Sequence, residues 1–157
     1  MRLTDYLNLR CISVDMKAKN KEEALKFLAH LLLRAGNIPS EKEKEIVKIL
    51  RKREELGSTG VGYGVGIPHG KSSLVKEIML AIAISKEGVD FDSLDGEPVH
   101  LFFLLLGPED SEVEHLKALA RIARFSKDRV FRSRLLRCKL PKEVLEVIKE
   151  KEEKELI

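Results

Sequence analysis

From Gly60 to Gly70 the chain reads Gly60-Val61-Gly62-Tyr63-Gly64-Val65-Gly66-Ile67-Pro68-His69-Gly70, with glycine at every second position up to Gly66 and a Pro-His-Gly corner at its end. An ordinary strand or helix does not use its residues this way. Glycine loses more conformational entropy on folding than any other residue, so its repetition implies positive φ, close backbone approach, or amides exposed to reach a ligand. The structural alternative is a twisted hairpin whose glycines lie against a packed helix. Pro68, with its fixed φ, then presents His69 among residues of little bulk, and the expectation is an exposed, rigidly held imidazole.

Two nucleotide readings of this segment fail on spacing. Gly70-Lys71-Ser72 looks like the end of a Walker A loop, but Val65 stands where that loop requires glycine. A dinucleotide fingerprint fails too, because Val65 and Ile67 occupy the third-glycine positions. A neutral imidazole, by contrast, is a nucleophile near neutral pH, and a bond from its other nitrogen to a backbone carbonyl would fix the tautomer for attack. Two further residues fit such chemistry. His115 falls in the first turn of a helix expected to be capped at Ser111, where free amides and the helix dipole attract an anion. Arg53 ends a helix that leads into the glycine segment. One histidine attacking, the other donating, and an arginine neutralising charge would suit a phosphoryl group. The plain alternatives are a loop histidine, a capping-turn histidine and a helix-end arginine serving the dipole.

Around this segment the elements are legible from periodicity and caps. A strand is expected over Leu9 to Val14. Asn20 and Glu23 have capping-box spacing before the apolar face of Ala24, Leu25, Phe27, Leu28, Leu31 and Leu32, and Gly36 stands where a C-cap belongs. Ser40 with Glu43 opens a second helix that ends near Leu56 and Gly57. Ile78 to Ile84 and Val99 to Leu106 are apolar runs of strand length. Ser111 with Glu114 repeats the capping box, before a face of Leu116, Leu119, Ala120, Ile122, Ala123 and Phe125. Shorter helices are expected near Asp128 to Arg137 and Pro141 to Lys149, and the charged tail from about residue 150 to 157 reads as a solvated, fraying helix end. Strand, two helices, several strands and three helices predict an α/β sandwich with helices packed on a mixed sheet.

Composition narrows the class. At 157 residues the chain makes a single domain, and 29 Lys and Arg against 26 Asp and Glu leave a net charge of +3, too even for nucleic-acid binding. The longest apolar run is far shorter than the roughly 18 residues of a membrane span. Asp5 and its polar neighbours interrupt any secretory signal. Cys11 and Cys138 lie in no metal-ligand or disulfide pattern, so reduced, buried thiols in a cytoplasm are expected. The lack of Gln and Trp, beside abundant Lys, Arg and Glu, is a thermophile's balance. His30 and His100 have no motif around them and are assigned nothing.

Taken together, Arg53-Glu54, Ser58-Thr59-Gly60-Val61-Gly62 and Gly64-Val65-Gly66-Ile67-Pro68-His69 resemble the active-site signature of the phosphotransferase-system (PTS) enzyme IIA of the fructose/mannitol type. Phe91, Leu94-Asp95-Gly96, Pro98-Val99, the Leu104 to Pro108 strand exit and His115-Leu116 match in order, over nearly the whole chain. The resemblance implies an α+β fold, a three-layer α/β/α sandwich, shared with the cytoplasmic domains of anion transporters. It implies a protein-histidine phosphotransferase with His69 phosphorylated, His115 as second active-site histidine, Arg53 on the phosphate, and Ser58, Thr59, Gly60 and Pro68 lining the loop. The donor would be an HPr-like phosphocarrier and the acceptor a cysteine of a IIB component, with no metal or other cofactor and no membrane insertion. Gly66 replaces the family's usual alanine, which predicts a looser loop. The Leu-Gly-Ser-Thr-Gly approach and the Gly70-Lys71 exit look closest to the nitrogen-regulatory IIA branch, whose members signal by docking to partners according to phosphorylation. Sugar transport, regulation, and a binding module of the same fold that is not phosphorylated remain the three expectations.

Overall fold

The computed structural model describes residues 1–36 and 38–155. In chain order its elements are β1 (Leu7–Ser13), α1 (Lys21–Ala35), α2 (Glu43–Glu55), β2 (Gly60–Gly62), β3 (Val65–Gly66), β4 (His69–Lys71), β5 (Met79–Val89), β6 (Val99–Gly107), α3 (Glu112–Ser126), α4 (Arg129–Leu136) and α5 (Pro141–Glu155). The two long apolar runs become β5 and β6, an antiparallel pair in register from Met79 opposite Leu106 to Ile84 opposite Leu101. Their side chains alternate between two apolar environments, as strands covered on both faces must. Ala81, Ala83, Phe102 and Leu104 pack with Leu25, Leu28, Ile46 and Leu50 of α1 and α2. Leu80, Ile82, Phe103 and Leu105 pack with Ile122, Phe125, Leu135 and Ile148 of α3, α4 and α5. Helices therefore cover both faces of a mixed sheet, the expected three-layer sandwich.

The sheet order is β1-β5-β6-β3-β2, with β4 also paired to β6. β3 and β4 lie in turn along one edge of β6, both parallel to it: Gly66 sits opposite Phe102 and His69 opposite Leu105. Between them Ile67 and Pro68 interrupt the ladder. Proline has no N–H to give, and the Ile67 N–H turns to the Thr59 carbonyl at 2.9 Å. The break re-aims the chain just before His69.

Several local expectations are corrected. Asn20 does accept the Glu23 N–H, at 3.0 Å, but Ser40 begins a short 3-10 turn over Ser40–Lys42 that runs into α2 with no side-chain cap. Ser111 precedes α3 without capping it; its hydroxyl donates instead to the Pro108 carbonyl at 2.6 Å, a local turn competing with the cap. The buried residues of α3 are His115, Ala118, Ile122, Phe125 and Ser126; Ile122 and Phe125 belong to the expected face, Leu119 and Ala123 pack at its margin, and Leu116 is 67% exposed.

As far as Glu155 the charged tail is helical and only partly solvated. Helix α5 continues to Glu155, and Glu152, 1% exposed, accepts the N–H groups of Leu3 at 2.6 Å and Thr4 at 3.1 Å. Arg121 of α3 completes this buried carboxylate's partners at 3.2 Å. Residues 156 and 157 of the expected tail lie outside the described residues.

Candidate active site

Several of the glycines meet demands of backbone geometry and close packing. Gly62 and Gly64 have φ of 103° and 72°, flanking Tyr63 at 60°, and so make the left-handed turn between β2 and β3. Gly60 is packed so closely that a Cβ would stand 2.7 Å from Ser93 Oγ. At Gly70 a Cβ would stand 2.7 Å from Ile49 Cγ2 of α2. At Gly66 the room for a methyl is already taken by Val99 and Phe102, 3.3 and 3.4 Å from where it would lie, so the loop is not loosened there.

His69 opens β4 and is half-buried, not fully exposed. Its Nδ1 lies 2.8 Å from the Ile67 carbonyl oxygen. A carbonyl only accepts, so Nδ1 carries the proton and Nε2 keeps the lone pair. Burial holds this imidazole below its ordinary pKa, and Arg53 adds to the lowering, while the Ile67 bond and Glu54 oppose it. The ring is neutral at pH 7.

His115 faces it from α3, with ring centroids 5.8 Å apart and planes at 61°. Its backbone N–H is already engaged with the Ser111 carbonyl at 2.9 Å. Burial, then the His69 and Lys71 charges, push its imidazole down to a pKa of about 4. His115 Nδ1 is buried with no hydrogen-bond partner among the described residues. A buried N–H without an acceptor costs more than an unused lone pair, which favours the tautomer with the proton on Nε2.

A pocket of about 560 Å³ joins these residues. Lys52, Arg53 and Leu56 come from the end of α2, His69 and Lys71 from β4, and Glu112, His115 and Leu116 from α3. Arg53 is anchored by an Nη1 bond to the Gly57 carbonyl at 2.8 Å, and Lys71 spans to Glu112 at 3.4 Å. The structure thus brings His69, His115 and Arg53 to one cavity, with more cation than anion around it. Strand alternation could have found Lys71, which shares a side with His69 two residues earlier.

The other expected loop residues lie behind the pocket rather than lining it. Ser58 donates to the Phe91 carbonyl at 2.9 Å and accepts the Gly60 N–H at 3.0 Å. Thr59 is turned onto Glu54, and the Pro68 carbonyl takes the Leu105 N–H at 3.0 Å. These contacts shape the loop and touch nothing in the cavity. Among the described residues no three His, Cys, Asp or Glu side chains converge as a metal-ligand set.

Residues 5–151 match the model of the Phosphoenolpyruvate-dependent sugar phosphotransferase system, EIIA 2, family, and the chain belongs to that family. It is similar to a nitrogen regulatory protein of Bradyrhizobium diazoefficiens, 43% identical over 128 residues that make 82% of each chain. It is also similar to a fructose-specific EIIA component of Haloferax volcanii, 34% identical over 90% of this chain and 91% of the other. Among solved structures, the nitrogen regulatory protein IIA-Ntr of Neisseria meningitidis superposes with a TM-score of 0.85 at 34% identity, over 93% of this chain and 98% of that one.

Proposed function

We propose that this chain is a phosphoryl carrier, a protein-histidine phosphotransferase with His69 as acceptor and an HPr-like phosphohistidine protein as donor. One observation carries the reading: in the neutral ring of His69 the Nδ1–H bond to the Ile67 carbonyl leaves the lone pair on Nε2. That lone pair forms the new P–N bond as the donor's P–N bond breaks, its electron pair staying on the donor nitrogen. The positive charge gained by the phosphorylated ring is met by the Ile67 carbonyl, whose hydrogen bond strengthens when its donor is charged. Arg53 and the Nε2–H of His115 hold the phosphoryl oxygens, the positioning and charge stabilisation such transfers depend on.

Downstream, the phosphoryl group passes to the cysteine of a IIB component. The likeness to the fructose-specific component supports that route. The likeness to nitrogen regulatory proteins supports a second reading, in which roughly two added negative charges on His69 change how the surface docks to a regulated partner. A cytoplasmic setting fits both, since Cys11 and Cys138 are free, buried thiols and no described helix is long and apolar enough to cross a membrane.

The test is intact mass after incubation with phosphoenolpyruvate, enzyme I and HPr, for the wild type and His69→Ala. One acid-labile phosphoryl group on the wild type alone is expected. Full labelling of His69→Ala would remove the site assignment, and no labelling of either would leave a binding module of this fold.

A further inference from the structure

The end of α2 is used in two directions. Arg53 points to the pocket, while its neighbour Glu54 is 7% exposed and turned inward. Glu54 Oε1 accepts the Thr59 N–H at 3.1 Å and meets Lys21 Nζ at 3.0 Å. Its Oε2 accepts the Thr59 hydroxyl. Lys21 is itself held in place, with its ammonium 4.8 Å from the centre of the Phe91 ring. Both carboxylate oxygens are satisfied, and nothing in the pocket is touched.

A buried ion pair is a poor source of stability, because desolvation offsets most of the attraction and apolar residues of similar volume do as well. Its geometry accounts for its presence better. Thr59, gripped at its N–H and its hydroxyl, gives its carbonyl to the Ile67 N–H at 2.9 Å. Ile67 in turn offers its carbonyl to His69 Nδ1 at 2.8 Å. On the far side the Pro68 carbonyl is fixed by the Leu105 N–H at 3.0 Å. The carbonyl that selects the His69 tautomer is therefore clamped from both sides, by β6 and by Thr59.

We propose that Glu54, seated by Lys21, is a positioning residue for His69: through Thr59 it fixes the Ile67 carbonyl that keeps the imidazole proton on Nδ1 and the lone pair on Nε2. The role rests on the phosphoryl-carrier reading only for its effect on rate. The tautomer it sets is a property of the resting protein. Glu54 also acts on the ring directly, its negative charge opposing the lowering of the His69 pKa.

The informative variants are Thr59→Val, which keeps shape and the backbone N–H but loses the hydroxyl, Thr59→Ser, which keeps both donors, and Glu54→Gln. Nitrogen-15 spectra of the His69 ring report the tautomer, and single-turnover labelling by phospho-HPr reports the rate, with thermal melts confirming a folded protein. Thr59→Val and Glu54→Gln are expected to draw the two ring-nitrogen shifts towards each other and to slow labelling about tenfold or more, the scale of a small misplacement at a reacting centre. Thr59→Ser is expected to stay within about twofold of wild type in rate, with an unchanged tautomer. Folded Thr59→Val or Glu54→Gln protein with wild-type ring shifts and wild-type rate would overturn the proposal. A wild type that takes no phosphoryl group would end the carrier reading, and the ring shifts alone would then decide the role of Glu54.

Discussion

His69 and His115 meet edge to face, ring centroids 5.8 Å apart, from a strand and a helix that are distant in sequence. A protonated His69 lowers the tendency of His115 to take a proton, because two imidazolium ions at that distance repel. The pair is neutral as a unit at physiological pH, which suits one ring to attack and the other to donate.

That neutrality ties stability to pH. His115 has a folded pKa of about 4 against an ordinary value of 6.5. Between those values the unfolded chain binds the proton and the folded chain does not, so folding stability is full above pH 6.5 and falls as the pH drops to 4. The loss amounts to about 3 kcal/mol at its largest. Thermal melts across this range are expected to show wild type losing more stability than His115→Asn, which carries no titrating ring. Parallel curves would show that His115 is not the group responsible.

Arg53 is held by one carbonyl at the mouth of the pocket and carries no core packing. Arg53→Ala is expected to slow labelling of His69 by roughly a hundredfold, as removal of a charge-stabilising donor does. Its melting temperature is expected to stay within about 2 °C of wild type, as for surface substitutions generally. Arg53→Lys, with charge but without the planar fork, is expected to fall between. Single-turnover rates and melts measure both halves.

Glu152 has the opposite profile. Glu152→Ala leaves the Leu3 and Thr4 amides and Arg121 without their acceptor. Breaking such a buried set costs about 3 kcal/mol, or roughly 10 °C in melting temperature for a chain of this size. Labelling of His69 in the folded protein at low temperature is expected to be unaffected. A denaturant melt beside a labelling assay separates the two.

Burial raises the Cys11 thiol to a pKa of about 11 and raises that of Cys138 as well. At pH 8 both are thiols rather than thiolates, and both are shielded from reagents. A disulfide exchange reagent is expected to find no reactive thiol in the folded protein and two after denaturation. Rapid labelling of either in native conditions would contradict the packing around it.

The parts of the fold visible in the sequence are those governed by short periods. The apolar runs that become β5 and β6 and the apolar faces of α1 and α2 follow from residue type and spacing alone. His69, His115 and Arg53 were identifiable as chemistry, and the motif supplied their order, but their convergence on one cavity depends on how α2, β4 and α3 pack. What was misread has physical causes. Ser40 and Ser111 carry the cap signature, yet one starts a 3-10 turn and the other donates to a nearby carbonyl. Ser58 and Thr59 are placed at the site by the resemblance alone, and here their side chains tie the loop to Phe91 and Glu54. Glu152 sits within a run of charge, where nothing local distinguishes one buried carboxylate from its solvated neighbours.

Gly70 gives the site one more property. With only a hydrogen there, α2 settles against β4 until Ile49 fills the space a methyl would need, and Arg53, one turn further along α2, arrives at the pocket beside His69. The spacing between cation and nucleophile is thus set by a contact in the apolar layer rather than by any polar group. Enlarging residue 70, or repacking Ile49, would shift the end of α2 over β4, so under the proposed carrier function substitutions at this seam would alter transfer rate with no polar group of the site replaced.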